Sequence, residues 1–274
     1  MPLLHQRAVC IALLCTAAIA QSTVRVALYV GAGTASTSAG NLSAVFTAMR
    51  SRGAIATLTE MEAADVATLT SSAFDVFVVP GGSGSGESDA IGADGADAIR
   101  AFVKSGGGYY GTCAGGFLAG NLSCCSQQMP GYCNSQTGCV KSPTALGLVD
   151  MGVAEPWDRG HGMVTLFFTD AAIAALQLDA SKYGNRQNVS VLYWQGPIQS
   201  RLYQGRFDTF ATYTSEIDYL HPQWTTGEMV NTPALLTTSY GSGRVLISSP
   251  HPEETIPRLD DIVEAYVLWA AKAI

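Results

Sequence analysis

A cysteine, Cys113, stands in the tract Gly111-Thr112-Cys113-Ala114-Gly115-Gly116, and far downstream His251 and Glu253 stand two residues apart in His251-Pro252-Glu253-Glu254. A thiol that attacks a carbonyl needs a base to take its proton, and the base needs a third group to fix its orientation. Cysteine parity points to the same residue. The chain has seven cysteines. Cys10 and Cys15 fall in an apolar leader. Cys124, Cys125, Cys133 and Cys139 crowd within sixteen residues, enough for two disulfides, with three connectivities open. Cys113 is left over, and an unpaired cysteine in an exported chain is either incidental or a reactive thiol. Its glycine neighbours favour the thiol.

The tract predicts a strand over Gly108 to Thr112 that turns sharply into a helix beginning near Gly115. Glycines permit the close-packed turn of a nucleophile elbow. A helix N-terminus supplies positive dipole, which favours thiolate, and the Ala114 N–H can point at a developing oxyanion. Beyond the leader the histidines are His161, His221 and His251. His251 is best placed as base, because it follows the predicted strand Arg244 to Ser248 and so lies on the rim where βα loops gather. Glu253 can reach back to hold its imidazole. His221-Pro222-Gln223 lacks a carboxylate two residues on, and His161, set between glycines, fits a substrate contact better. Pro80-Gly81-Gly82 ends the strand Phe74 to Val79 and brings its amides to the same rim as a second oxyanion donor.

Other chemistries fit poorly. The tract Gly81-Gly82-Ser83-Gly84-Ser85-Gly86 lacks the Lys-Ser/Thr ending of a phosphate-binding loop. Gly31-Ala32-Gly33 lacks the third glycine and downstream acid of a dinucleotide site. The irregular spacing of Cys124 to Cys139 and an oxidising compartment argue against zinc. No metal and no cofactor are expected. A net charge of −7 and a pI near 5.0 exclude a nucleic-acid partner, which needs clustered Lys and Arg.

The elements that must position these residues follow from periodicity. Val24 to Val30 reads as a β-branched strand. Leu42 to Arg50 reads as a helix with Leu42, Val45, Phe46 and Met49 on one face. Strands at Ala54 to Leu58 and Phe74 to Val79, a helix from Ala93 to Lys104 and the strand at Gly108 continue the alternation. Such alternation implies βαβ units and a parallel sheet. The second half is richer in strands: Gly147 to Ala154, Met163 to Phe168, Val189 to Trp194, Phe207 to Thr212, Ala234 to Tyr240 and Arg244 to Ser248. A helix from Leu259 to Ala271 follows. The expected fold is α/β: a flavodoxin-like, mostly parallel sheet with helices on both faces and extra antiparallel strands in the C-terminal half.

Residues 1–20 read as a signal peptide. An apolar run from Ala8 to Ile19 is too short to span a bilayer, and Ala18-Ile19-Ala20 supplies a cleavage pattern. Residues 21–274 read as one domain with a Cys-rich surface insertion at about 123–143. No later segment is apolar enough to span, so no membrane partner is expected after cleavage. Charged residues make up only 14% of the chain against a typical ~25%. Glycans at Asn41, Asn121 and Asn188 could compensate, although Asn121 lies close to Cys113 in sequence.

Val79-Pro80-Gly81-Gly82, then Ile99-Arg100-Ala101-Phe102-Val103, then Gly106 to Gly116, and late His251-Pro252-Glu253 resemble the class I glutamine amidotransferase-like superfamily. Within it they are most similar to the N-terminal domain of eukaryotic biotin–protein ligases, as are Tyr193-Trp194-Gln195-Gly196 and Gly241-Ser242-Gly243-Arg244-Val245. The resemblance covers most of residues 24–271. It implies Cys113 as nucleophile, His251 as base, Glu253 as orienter, and Gly82 and Ala114 as oxyanion donors. The biotinyl-adenylate loop of the ligase portion is not in this sequence, so ligase activity is not expected. Alanine after Cys113 departs from the branch of the superfamily that carries histidine there.

The expected function is a secreted cysteine-dependent hydrolase acting on a small carboxamide or acyl substrate. Gly81, Tyr193, Trp194 and His161 are the expected substrate-binding residues. The alternative is a domain that keeps this fold and binds a ligand or partner without turnover.

Overall fold

The computed structural model describes residues 23–125, 138–142, 145–155, 159–218, 220 and 228–274. In chain order the elements are β1 (Arg25–Tyr29), α1 (Ser36–Ser51), β2 (Thr57–Met61), a 3-10 turn (Ala63–Thr68), β3 (Val76–Val79), α2 (Gly84–Lys104), β4 (Gly108–Thr112) and α3 (Ala114–Ala119). Then come β5 (Leu122–Cys125), β6 (Cys139–Lys141), β7 (Gly152–Glu155), β8 (His161–Phe168), α4 (Asp170–Ala175), α5 (Ala180–Tyr183), β9 (Val189–Trp194), β10 (Asp208–Tyr213), β11 (Pro233–Tyr240), β12 (Gly243–Ser248) and α6 (Asp260–Ala270).

The main sheet has nine strands in the order β2-β1-β3-β4-β12-β11-β10-β8-β9. From β2 to β12 neighbouring strands are parallel. From β12 onward they are antiparallel. The expectation of a mostly parallel sheet extended by antiparallel strands therefore holds, and the sheet changes character at β12. The strand that leads to His251 is also the neighbour of the strand that leads to Cys113.

Strand alternation fixes the two cores. Val26 and Leu28 of β1 face α1 and α6, packing with Leu42, Val45, Phe46, Met49 and Ile262. Ala27 and Tyr29 face the other side, packing with Ile91, Ile99 and Phe102 of α2. Each fully buried aliphatic or aromatic side chain contributes about 1.5–3 kcal/mol. Helices thus cover both faces, as the pattern requires. The helix expected at Ala93 starts earlier, at Gly84. The Ser83 hydroxyl accepts from the Gly86 N–H as its N-cap, and Gly92 (φ 66°) breaks the run where the periodicity does.

The cysteine-rich segment differs from a plain surface insertion. Its ends are β5 and β6, antiparallel to one another, and β5 runs parallel to β7 in a second sheet of three strands. Cys124 and Cys139 lie opposite in that register and form a disulfide. Cys133 and the side chain of Cys125 lie outside the described residues, as do the leader and His221. No helix among the described residues is long and apolar enough to cross a membrane.

Candidate active site

Cys113 sits at the junction of β4 and α3 with φ 49° and ψ −107°, a conformation that side-chain-bearing residues rarely adopt. Neighbouring bonds hold it there. Its N–H donates to the Ser248 carbonyl of β12 at 2.9 Å, and its own carbonyl accepts from Gly116 and Phe117. Glycine at position 115 is a steric requirement: a Cβ there would lie 2.3 Å from the Val79 carbonyl oxygen at the end of β3. The elbow is thus wedged between the ends of two parallel strands.

His251 follows β12 and is buried. Its backbone N–H donates to the Leu192 carbonyl at 2.8 Å, so β9 passes directly across the site. Its ring Nδ1 lies 2.8 Å from Glu253 Oε1 and 3.3 Å from Glu254 Oε2. With carboxylates as acceptors, Nδ1 carries the proton and Nε2 is left for other work. Nε2 is buried and has no hydrogen-bond partner. The Cys113 thiol donates to the Trp194 carbonyl, 3.3 Å from Sγ. Both side chains rest on Gly81. A Cβ at Gly81 would lie 2.5 Å from His251 Cε1 and 3.3 Å from Cys113 Cβ. Burial opposes a charge on the imidazole. Negative charge at the Cys113 and Glu253 positions, with the Glu253 hydrogen bond, outweighs burial and holds the ring's pKa well above the ordinary value.

Ser38, at the start of α1, completes the arrangement and was not singled out from the sequence. Its hydroxyl donates to Glu253 Oε1 at 2.7 Å and accepts from the Gly81 N–H at 2.9 Å. A chain of hydrogen bonds therefore runs from the β3 turn through Ser38 and Glu253 to the imidazole. Glu87, in the first turn of α2, is a second unforeseen group. It is fully buried and neither carboxyl oxygen has a partner. Burial, and then negative charge at Cys113, push its pKa well above the usual range.

The backbone N–H groups of Gly82 and Ala114 donate to no described residue, although Gly82 is flanked by two bonds to the turn after β1, Ala35 N–H to Gly81 O and Ser83 N–H to Gly33 O. Free amides at these two turns can receive an oxyanion. Beside them lies a cavity of about 610 Å³, lined by Gly82, Cys113, Phe117, Trp194, His251 and Glu254 among others. Leu122, Ser123, Ser142 and Val153 also line it, so the stapled β5–β7 sheet forms one wall. Asn121 lies in the same wall.

Of the expected substrate contacts, Trp194 lines the cavity and is 50% exposed. Tyr193 does not line it. Alternation along β9 turns Tyr193 into the core, where its hydroxyl donates to the Gly196 carbonyl and its ring meets Tyr213 edge-on. His161 is exposed and stacks on the Trp194 indole at 4.8 Å between centroids, but is not among the residues that line the cavity. Gly81 spends both backbone groups inside the fold, on Ser38 and Ala35, and backs the imidazole instead of the cavity. His251, Glu253 and Glu254 place three possible metal-ligand atoms within 4.8 Å of one another, but Nδ1 is already bonded to the carboxylates.

Residues 24–130 match the family model described as biotin-protein ligase, N terminal. No curated protein matches the chain. Among solved structures, a glutamine amidotransferase superposes with a TM-score of 0.53 at 16% identity, covering 90% of this chain and 98% of its own. A putative ThuA-like protein from Bacteroides uniformis gives a TM-score of 0.53 at 12% identity, covering 93% of this chain and 94% of its own. At these identities the likeness is one of fold. The segment that carries β1 to β5 thus bears the biotin-protein ligase N-terminal pattern, on a fold shared with a glutamine amidotransferase.

Proposed function

We propose that this chain is an exported, cysteine-dependent hydrolase that cleaves a small carboxamide or related acyl bond. One observation carries the reading: a strained, unpaired cysteine and a carboxylate-bound histidine, far apart in sequence, pack on the same glycine and line one cavity. In this reading His251 Nε2 takes the Cys113 proton as sulfur attacks the carbonyl carbon. The oxygen becomes an oxyanion received by the N–H groups of Gly82 and Ala114, typically the largest single stabilisation in such chemistry. His251 returns the proton to the leaving nitrogen, the C–N bond breaks and a thioester to Cys113 remains. Water, deprotonated by His251, attacks the thioester; the thiolate leaves and a carboxylic acid is released. Glu253 holds the ring and balances its charge, and Ser38 holds Glu253.

Export is supported by the leader sequence and by the Cys124–Cys139 disulfide, which persists in oxidising compartments. The reading is tested by incubating the protein and its Cys113→Ala and His251→Ala variants with a panel of primary amides and measuring released ammonia. Turnover by the parent alone supports it. Equal ammonia release from the folded Cys113→Ala variant overturns it.

A second reading, a binding domain without turnover, is favoured by the resting position of the thiol. Cys113 donates to Trp194 O, and His251 Nε2 receives nothing. It predicts ligand binding unaffected by Cys113→Ala and no ammonia release by any form.

A further inference from the structure

We infer that the cavity beside Cys113 selects an amide bearing an ammonium group and rejects one bearing a carboxylate, with Glu254 as the specificity-determining residue. This rests on the reading of Cys113 as nucleophile and names the substrate class for that site. Apart from the Cys113–His251 pair, the only charged side chain among the described residues lining the cavity is Glu254. Glu254 Oε2 leans toward His251 Nδ1 at 3.3 Å, while Oε1 receives no hydrogen bond from any described residue. Trp194 lines the same cavity, and an indole face attracts cations. A carboxylate and an indole in one pocket favour the same ligand charge.

No cation offsets them. Neither Lys nor Arg lines the cavity among the described residues. Of the undescribed residues, 126–137, 143–144, 156–158, 219 and 221–227 contain no Lys or Arg in their sequence, and 1–22 contain Arg7 alone, in the leader. Lys141, exposed on β6 beside Ser142 and opposite Leu122, flanks the wall without lining the cavity, and Arg159 is buried and committed to Glu216, Glu228 and the Ile217 carbonyl. The amino end of α2 contributes Ser83 and Ser85 to the lining. Its partial positive charge, about half an elementary charge, suits a neutral carbonyl or hydroxyl. It is weaker than the full negative charge of Glu254, so a ligand carboxylate entering the cavity would be desolvated without a matching cation.

The test separates pocket charge from turnover. Three chloroacetamides of similar size, carrying aminoethyl, hydroxyethyl or carboxymethyl on the amide nitrogen, are reacted with the intact protein, and alkylation of Cys113 is followed by mass spectrometry. The expected order is cationic, then neutral, then anionic, with the cationic reagent faster than the anionic by about tenfold or more. In Glu254→Gln, the ratio between reagents falls toward that of a free thiol; a ratio cancels any general change in Cys113 reactivity. Rising salt should shrink the ratio in the parent protein, so the proposal is falsifiable even if the variant folds poorly. Fast labelling of Cys113 with no dependence on reagent charge overturns this proposal and leaves the nucleophile reading intact. No preferential labelling of Cys113 by any reagent overturns both.

Discussion

The Ser38 hydroxyl donates to Glu253 Oε1 at 2.7 Å across 215 positions of sequence, tying the first helix to the loop after the last strand. Glu253 thereby has one oxygen shared between serine and imidazole, while Oε2 is buried without a partner. Glu253 is held by few bonds, so each one counts. A Ser38→Ala variant should lose about 1.5–3 kcal/mol of stability, the usual contribution of a buried hydrogen bond to a charged group. Its alkylation at Cys113 should slow as the imidazole loses its fixed orientation. Urea unfolding and iodoacetamide kinetics check both; an unchanged alkylation rate would remove Ser38 from the site.

Gly81 is the steric floor of the pair. Alanine there would place a methyl carbon 2.5 Å from His251 Cε1, and the ring must move to admit it. Overpacking of this kind costs about 1–3 kcal/mol. Gly81→Ala should therefore cut Cys113 alkylation and any amidase activity far more than it lowers melting temperature. Full activity with normal stability would show that the imidazole is not seated where the structure has it.

Glu87 supplies a pH dependence of definite sign. Its pKa in the folded state is raised well above the ordinary 4.5 by burial and by Cys113. The unfolded chain therefore releases this proton at lower pH than the folded one. The group's effect is absent below about pH 4.5, and stability falls as pH rises from there toward the folded pKa. Glu87→Gln keeps the shape and removes the titration. The variant should be more stable than the parent at neutral pH, with the gap closing as pH falls below 5. A constant difference across pH, measured by denaturant unfolding, would contradict this.

The Cys124–Cys139 disulfide closes a loop of 15 residues in the wall of the cavity. Constraint of an unfolded loop of that length amounts to about 3 kcal/mol. The double variant Cys124→Ala/Cys139→Ala should lose stability of that order and raise KM more than it lowers kcat, because Leu122, Ser123 and Ser142 shift while Cys113 stays on β4. A fall in kcat alone would mean that the stapled sheet reaches the chemistry itself.

Much of the fold is legible in the sequence because it is local. The β-branched run at Val24, the i, i+3, i+4, i+7 face of Leu42 to Met49, and the strand running into Cys113 each announce themselves within a few residues. The proximity of Cys113 to His251 is legible indirectly, since both follow strands of one parallel sheet and such ends gather on one rim. Ser38 is not legible. A serine in a helix start reads as an N-terminal residue, and only the long-range seating of Glu253 gives it a partner. Glu87 is similarly hidden, because a glutamate near a helix N-terminus normally faces solvent and the dipole. The β5–β7 sheet escapes because its strands are short and lie within a cysteine-rich tract without period. Tyr193 and Trp194 were equal in sequence, and only the side of β9 that faces the core separates them.

In the proposed reaction Cys113 attacks a carbonyl and His251 activates the water that resolves the thioester. An activated acyl ester offered to the protein, with acid quench and peptide mapping by mass spectrometry, measures this most directly. A hydroxylamine-labile acyl group should form on Cys113 and decay in the parent protein. It forms slowly and persists in His251→Ala and never appears in Cys113→Ala. Acylation at other residues while Cys113 stays free in the folded protein would contradict it.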